Sequence, residues 1–198
     1  SISRQFKIPV QDIAELNNIE NPEELRVGRN LYIPGVRLGG GKLPGGFKVA
    51  ASRAPKGRSQ PAASLIPGRL EVDHDRLLWP VNGGLSSGFG VRNGRRHDGI
   101  DIGASRGEPI KAAADGEVVY SKRLRGYGNL ILLKHPDNFF TVYAHNSVNL
   151  VKKGARIRKG QVIAKVGSTG RATGPHLHFE VQEGAKPRNP LFFLPRRK

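Results

Sequence analysis

The segment at residues 173–181, TGPHLHFEV, carries two histidines, His176 and His178, separated by a single residue. Side chains alternate across a β-strand, so both imidazoles and Glu180 are expected on one face. The apolar residues between them are then expected to face a core: Leu177, Phe179 and Val181. Imidazole nitrogens bind zinc at about 2.0–2.1 Å, and two of them on one extended strand are a common part of a metal site. This segment therefore predicts part of a metal centre.

A second candidate segment, RHDGIDI at residues 96–102, places His97 four residues before Asp101. A fully extended strand would separate these two residues by about 13 Å, which is too far for two groups that bind one ion. Gly99 lies between them and accepts backbone angles that other residues avoid, so we expect the chain to bend there. The bend would bring both residues to one metal with one histidine of the 176/178 pair, while His145 and the remaining histidine lie nearby. Three protein ligands and an open fourth position are typical of a catalytic zinc site.

These residues fall on or beside short segments rich in β-branched and aromatic residues, which glycine-containing turns separate. Five such segments are predicted as strands: residues 116–121, 130–134, 139–145, 161–166 and 176–181. The run LILL at residues 130–133 has no polar face and is expected at the centre of a sheet. Within residues 139–145, alternation predicts that Thr141, Tyr143 and His145 share one face. We therefore expect a mainly β fold with an antiparallel sheet.

The chain of 198 residues divides into three parts by composition. Residues 1–34 are expected to contain short elements: helices at 1–6 and 10–16 and a strand at 30–33. Residues 35–77 are rich in Gly, Pro, Ser and basic residues, which is typical of a flexible linker. Residues 78–198, which end in a short basic tail, are long enough to bury a core of their own. The prediction is a small, mostly helical N-terminal part, a basic tether and a β-sheet domain.

Composition limits both the chemistry and the partners. The chain has no cysteine, so any zinc must be held by His, Asp or Glu. The formal net charge is +17, and residues 78–198 carry twenty-one basic and eight acidic residues, a net +13, which favours a polyanionic partner or setting. The basic segments at 152–153 and 156–159 end on turn glycines and lack a stacking platform or a groove-reading helix, so no nucleic acid is expected. No apolar run in the sequence is long enough for a transmembrane segment.

Residues 1–34 resemble the lysin motif, a small βααβ module that binds the glycan of peptidoglycan or chitin. The resemblance rests on IPV at residues 8–10, ELN at 15–17 and VGRNLYIP at 27–34. It covers the two helices and the last strand, and the first strand is missing. It implies a truncated lysin motif, which is either a glycan-binding remnant or a helical remnant packed on the main domain.

Residues 78–195 resemble the lysostaphin-type zinc metallopeptidases, which hydrolyse cross-links or interpeptide bridges of peptidoglycan. The resemblance rests on five short motifs: HxxxD at 97–101, YAH at 143–145, HLH at 176–178, GFG at 88–90 and GSTG at 167–170. Carried over by position, the zinc ligands would be His97, Asp101 and His178. The catalytic pair beside the metal would be His145 and His176. Two residues are candidates for substrate binding: Tyr143 and Asn129, the latter equally well explained as a turn before the next strand.

The resemblance implies metal-assisted hydrolysis of a peptide bond. Zinc lowers the pKa of a bound water from 15.7 to roughly 7 and polarises the scissile carbonyl. The imidazole of His145 or His176 would take the proton of the water or stabilise the oxyanion, and the sequence leaves open which does which. Such an enzyme is expected in the cell envelope, periplasmic or extracellular, with any export signal or anchor outside this sequence.

Two other functions fit parts of the sequence. Some relatives with a lysin motif, a linker and this type of domain look to have lost their metal ligands and to activate cell-wall amidases by protein contact; the five intact positions here favour catalysis. The segments at 114–118 and 162–167 resemble the hairpins of lipoyl or biotinyl carriers. A carrier presents a lysine on a tight turn, usually beside a methionine, and this chain has no Met. We therefore expect a zinc peptidase, with amidase activation as the alternative.

Overall fold

In the computed structural model, the described residues are 9–17, 19, 31, 73–92 and 95–197. An α-helix, α1 (Val10–Leu16), lies in the N-terminal part at the position that the apolar spacing predicts. The two other elements predicted there, at 1–6 and 30–33, fall outside the described residues, except for residue 31. Among the helices of the described part, none is both long and apolar enough to cross a membrane.

The described part of residues 73–197 forms thirteen strands and a short 3-10 helix at Pro190–Phe192. The strands are β1 (Gly84–Ser87), β2 (Gly90–Arg92), β3 (Arg95–His97), β4 (Ile100–Gly103), β5 (Pro109–Lys111), β6 (Gly116–Leu124), β7 (Gly128–His135), β8 (Phe139–Asn146), β9 (Val148–Asn149), β10 (Arg156–Ile157), β11 (Val162–Lys165), β12 (His176–Glu183) and β13 (Lys186–Arg188). All five strands predicted from the sequence are confirmed, as β6, β7, β8, β11 and β12.

The strands of the described part pair in antiparallel fashion in three sheets. The main sheet has the order β1-β4-β12-β8-β7-β6-β10, and β13 pairs with β12. A smaller sheet has the order β5-β11-β9, and β2 and β3 form a separate hairpin. The LILL run belongs to β7, which lies between β6 and β8, as its lack of a polar face predicts. The mainly β, antiparallel fold is thereby confirmed.

One face of the main sheet packs against β5 and β11 in the principal hydrophobic core. The residues of β12 that were expected to face a core are fully buried in it: Leu177, Phe179 and Val181. Leu77, the last residue of the segment predicted as a linker, is also buried in this core. Its amide N–H donates to the carbonyl oxygen of Phe193 at 2.9 Å. The alternation of β12 therefore fixes which of its residues remain on the other face.

The opposite face of the main sheet carries a second apolar cluster, which includes helix α1. Ile13 and Leu16 of the helix are buried there with side chains of β6, β7 and β8, among them Leu132. Helix and sheet belong to one compact unit, so the N-terminal helix is packed on the main domain. His178 faces the same side, because it pairs with Ala144 of this cluster and opposite residues of antiparallel strands share a face. The helix and the candidate site thus occupy one face of one sheet.

Candidate metal centre

The candidate metal centre lies where β4 runs beside β12. Asp101 of β4 pairs directly with His178 of β12, so the carboxylate and the imidazole point to the same face. His97 ends β3 and is returned to them by the bend predicted at Gly99. A Cβ atom at Gly99 would lie 2.3 Å from the carbonyl oxygen of Phe179, and the backbone there has no positive φ. Glycine is therefore required by the close approach of β12, a long-range reason, rather than by the angles of the bend.

Three candidate ligand atoms converge in this centre. The Oδ1 atom of Asp101 lies 3.0 Å from Nε2 of His97 and 2.8 Å from Nδ1 of His178. The two nitrogens are 3.1 Å apart. Tetrahedral zinc with bonds of about 2.0–2.1 Å holds its ligand atoms about 3.3 Å from one another, and nitrogen and carboxylate oxygen are among its usual donors. The spacing and the donor types both fit a zinc ion held by the three predicted residues.

Hydrogen bonds behind the rings orient both histidines. Carbonyl and carboxylate oxygens only accept, so a ring nitrogen that bonds to one of them on the side away from Asp101 carries the proton and leaves the other nitrogen for a metal. Nδ1 of His97 donates to the carbonyl oxygen of Gly88 at 2.7 Å, which leaves Nε2 as its ligand atom. Nε2 of His178 donates to Oε1 of Glu180 at 3.0 Å, which leaves Nδ1 facing Asp101. The GFG motif at 88–90 therefore helps to position a ligand.

Glu180 belongs to the candidate centre, and the sequence pattern assigned it a face but no role. Its side chain is 0% exposed. Oε1 accepts from His178 and from the hydroxyl of Tyr127 at 2.7 Å, and Oε2 accepts from the side-chain amide of Gln182 at 2.9 Å. A carboxylate behind a metal-binding imidazole fixes the orientation of the ring and raises its basicity. The signal available in the sequence was the alternation of β12, which puts a carboxylate beside the ligand histidine.

The electrostatics of the cluster keep the carboxylate of Asp101 ionised. Burial disfavours that charge, but hydrogen bonds from His178 and His97 outweigh burial and hold the pKa of Asp101 well below its usual value. Burial also disfavours charge on His178, but its hydrogen bonds to Asp101 and Glu180 outweigh burial and raise the pKa of His178 to about 9. The ligand set therefore has its anionic member ready, and a metal that binds displaces the proton from His178.

His145 reaches this centre through a bulge in β8. The prediction that Tyr143 and His145 share a face is wrong, because strict alternation fails at His145. The register between β7 and β8 shifts beside this residue, and its φ is +64°. A bulge of this kind redirects one side chain. The ring of His145 consequently lies 4.8 Å from that of His176 and 5.8 Å from that of His178, measured between ring centroids.

Both candidate catalytic histidines are held through Nδ1 by backbone carbonyls. Nδ1 of His145 donates to Thr169 at 2.7 Å, and Nδ1 of His176 donates to Gly174 at 2.9 Å. Nε2 of each ring is thereby left as a proton acceptor, and that of His176 lies 3.8 Å from Oδ1 of Asp101. Burial, with a smaller contribution from the neighbouring imidazoles, lowers the pKa of His145 to about 4. His145 is therefore neutral and able to accept a proton at neutral pH.

Tyr143 does not line the site, and its prediction as a substrate-binding residue is wrong. The residue is fully buried in the principal core. Its hydroxyl oxygen accepts from the backbone N–H of Ala113 at 2.8 Å and from the hydroxyl of Thr141 at 3.0 Å. Alternation along β8 turns it away from the face that carries the histidines, so its role is structural.

Asn129 is half-buried and bonds to the end of β8. Its side-chain amide donates to the carbonyl oxygens of Asn146 and Ser147, each at 3.1 Å. These bonds fasten the backbone directly after His145, so Asn129 supports the bulge. A contact between Asn129 and a substrate stays a prediction.

Comparison with known proteins gives this geometry a family. Residues 95–190 match the model of peptidase family M23, and residues 1–34 match the model of the LysM domain. Lipoprotein YgeR of Escherichia coli is 39% identical over 198 residues, which cover 98% of this chain and 76% of that protein. Murein hydrolase activator NlpD of Salmonella dublin is 47% identical over 120 residues, which cover 60% of this chain. The chain matches only 31% of the length of that activator.

Solved structures agree with the family models. A zinc-containing peptidase from Vibrio cholerae is 36% identical with a TM-score of 0.55, and the match covers 62% of this chain and 40% of that one. The catalytic domain of the antimicrobial peptidase lysostaphin from Staphylococcus simulans is 33% identical with a TM-score of 0.53. That match covers 56% of this chain and 90% of the lysostaphin domain. Together with the similarity to YgeR over 98% of this chain, these matches place the chain in peptidase family M23, with a LysM domain in its N-terminal part.

Proposed function

We propose that this protein is a zinc-dependent endopeptidase that hydrolyses peptide cross-links or stem peptides of bacterial peptidoglycan. The observation that carries the proposal is the convergence of three ligand atoms within 3.1 Å of one another. The proposed ligands are His97, Asp101 and His178. The proposed catalytic residues are His145 and His176, whose free Nε2 atoms follow from the hydrogen bonds of their Nδ1 atoms. All five positions have the residue type that catalysis requires.

The chemistry divides between the metal and the chain. Zinc supplies a Lewis acid that polarises the scissile carbonyl and lowers the pKa of water to about 7. Nε2 of His145 or His176 accepts the proton of the attacking water and returns it to the leaving amine. The other imidazole would donate a hydrogen bond to the oxyanion from Nε2 when that atom carries a proton taken from solvent. Glu180 holds the ring of His178 in place and takes no part in proton transfer, because its carboxylate is buried behind that ring.

We propose that the enzyme acts in the cell envelope, and three arguments support this location. The matched relatives include a lipoprotein and a murein hydrolase activator by name. The LysM domain at residues 1–34 would hold the chain to peptidoglycan glycan, residues 35–77 would act as a basic linker, and residues 78–198 would be the peptidase domain. The net charge of +13 on the last part would favour contact with an anionic cell wall.

A second function, activation of a cell-wall amidase by protein contact, is favoured by one observation. Over 120 residues, the chain is 47% identical to part of a protein named as a murein hydrolase activator. Activation by contact requires no metal and no general base, so stimulation of the amidase would persist after the metal or the catalytic histidines were removed. The intact ligands and histidines support hydrolysis as the first proposal.

Digestion of purified cross-linked peptidoglycan by the zinc-loaded protein, with mass spectrometry of the fragments, tests the proposal and identifies the bond. We expect His97→Ala or Asp101→Ala to abolish both metal retention and activity. We expect His145→Ala or His176→Ala to keep zinc and to lose most of the turnover. If His176→Ala emptied the site while His178→Ala did not, the ligand assignment would be reversed. If wild type released no fragments, and if wild type and His145→Ala stimulated an amidase equally, the second function, activation by contact, would be supported instead.

A further inference from the structure

Two exposed arginines, Arg125 and Arg171, lie on two loops that bond to His145 through their backbones. Each arginine lies two residues from a backbone carbonyl that holds His145. The carbonyl of Tyr127 accepts from the backbone N–H of His145 at 2.9 Å, and that of Thr169 accepts from its Nδ1 at 2.7 Å. The backbones of both arginines are thereby placed at the rim of the site, on the side where His145 lies.

The two loops are locked together through their backbones. The N–H of Arg171 donates to the carbonyl oxygen of Gly126 at 2.8 Å. Gly128 and Gly170 have φ values of +68° and +77°, and a Cβ atom on Gly170 would lie 2.3 Å from the backbone nitrogen of Gly128. Only glycine fits at such an approach. The loops therefore form one rigid base that carries Arg125 and Arg171 next to each other.

Basic residues outnumber acidic ones in the sequence around this base, and the carboxylate that contacts it, that of Glu180, is buried and accepts from Tyr127 and His178. From residue 118 to residue 179 the sequence contains a single acidic residue, Asp137, and its ion pair in the structure is with Arg76. Within the described part of the chain, no ion pair involves Arg125 or Arg171. The backbones of the two arginines are adjacent and both side chains are exposed, so a negatively charged ligand at this rim would be attracted to both positive charges.

We propose that Arg125 and Arg171 form a carboxylate-binding subsite that takes a free carboxylate of the peptide substrate near the cleaved bond. A guanidinium group offers a planar fork of donors that matches the two oxygens of a carboxylate. The subsite would favour acidic peptides over neutral ones and would set the register of the peptide along the catalytic histidines. This inference rests on the proposed peptidase function for the nature of the ligand.

Two peptides with the same scissile amide test the subsite, one with a free carboxylate beside that amide and one with a carboxamide there. Wild type is expected to have a KM about fivefold lower for the carboxylate peptide, since exposed charge pairs have modest individual strength. The double variant Arg125→Gln with Arg171→Gln is expected to lose this preference, so that its KM values for the two peptides agree within about twofold. The matched control, Lys152→Gln with Arg158→Gln, removes the same charge from exposed positions elsewhere and is expected to keep the preference.

A binding measurement separates this inference from the proposed function. Fluorescence anisotropy with an uncleavable version of each peptide, in which the scissile amide is reduced, reports on the subsite whether or not the protein is a peptidase. If wild type cleaves neither of the two peptides with an intact amide but still binds the uncleavable carboxylate peptide more tightly, and if this preference requires the two arginines, the peptidase proposal is rejected and the subsite is kept. Equal binding of the two uncleavable peptides by wild type, or a preference that survives in the double arginine variant, would overturn the subsite.

Discussion

The substitution Glu180→Gln tests whether the buried carboxylate sets the zinc affinity of the centre. It keeps the shape of the side chain and removes its charge. In the wild-type protein, Nε2 of His178 donates to one carboxylate oxygen of Glu180 at 3.0 Å, and the side-chain amide of Gln182 donates to the other oxygen at 2.9 Å. In the variant, the amide oxygen can still accept from His178, but its NH2 group would face the NH2 group of Gln182 unless that residue flips. The fold should persist, since no cavity and no new buried charge are created.

The magnitude follows from the change in the hydrogen bond to His178. A hydrogen bond to a charged group contributes about 1.5–3 kcal/mol and a neutral one about 0.5–1.5 kcal/mol. The difference of about 1–1.5 kcal/mol corresponds to roughly a tenfold weaker affinity for zinc. That value lies at the lower end of the range of about 10- to 100-fold that is typical when a partner behind a metal ligand is changed.

Competition with a chromophoric chelator measures the zinc dissociation constant of wild type and variant at one pH. The matched control is Glu183→Gln on the same strand, because Glu183 is exposed and pairs with Arg188 outside the centre. We expect the control to bind zinc as wild type does and Glu180→Gln to bind it about tenfold more weakly. A Glu180→Gln affinity within twofold of wild type, in a protein with an unchanged near-UV dichroism spectrum, would refute the reasoning.

Three further predictions concern the core, the charge and the helix. Tyr143→Phe should lower the free energy of unfolding in urea by about 1–3 kcal/mol, because the buried N–H of Ala113 loses its acceptor, and turnover per folded molecule should stay unchanged. If turnover were lost while the free energy of unfolding stayed unchanged, Tyr143 would be a substrate-binding residue after all. Hydrolysis of whole cell wall should fall with added salt more than hydrolysis of a short soluble peptide, since salt screens attraction beyond about 8–10 Å, and equal responses would count against steering by charge. Leu16→Ala should speed amide hydrogen exchange in α1, because Leu16 is buried against the sheet, whereas Val10→Ala, at a position that is 44% exposed, should not. Equal exchange rates in the two variants would argue against the packing of α1 on the sheet.

Alternation along β12 was predictable because it is local. Leu177 and Phe179 face the core and His178 faces the other side, as a period of two requires of any strand with one buried face. The same rule fails at His145, because the bulge there depends on how β8 pairs with β7 and is fastened by Asn129. No sequence pattern around residues 143–146 indicates how β8 pairs with β7. This bulge explains the wrong shared face of Tyr143 and His145, while the substrate role of Tyr143 came from the family resemblance and is contradicted by its burial.

The amino-acid sequence by itself determined the inventory of the site: a HxxxD segment, a HLH segment, no competing cysteine and a series of β-segments to carry them. These are properties of residue type and near spacing, which pattern rules read directly. Only the tertiary structure decided which atoms meet, namely that His178 is the histidine of its pair that meets His97, that Gly99 makes room for β12, and that the loops of Arg125 and Arg171 join at one base. Such contacts join residues up to about eighty positions apart. They arise from the pairing of strands, which local periodicity does not specify.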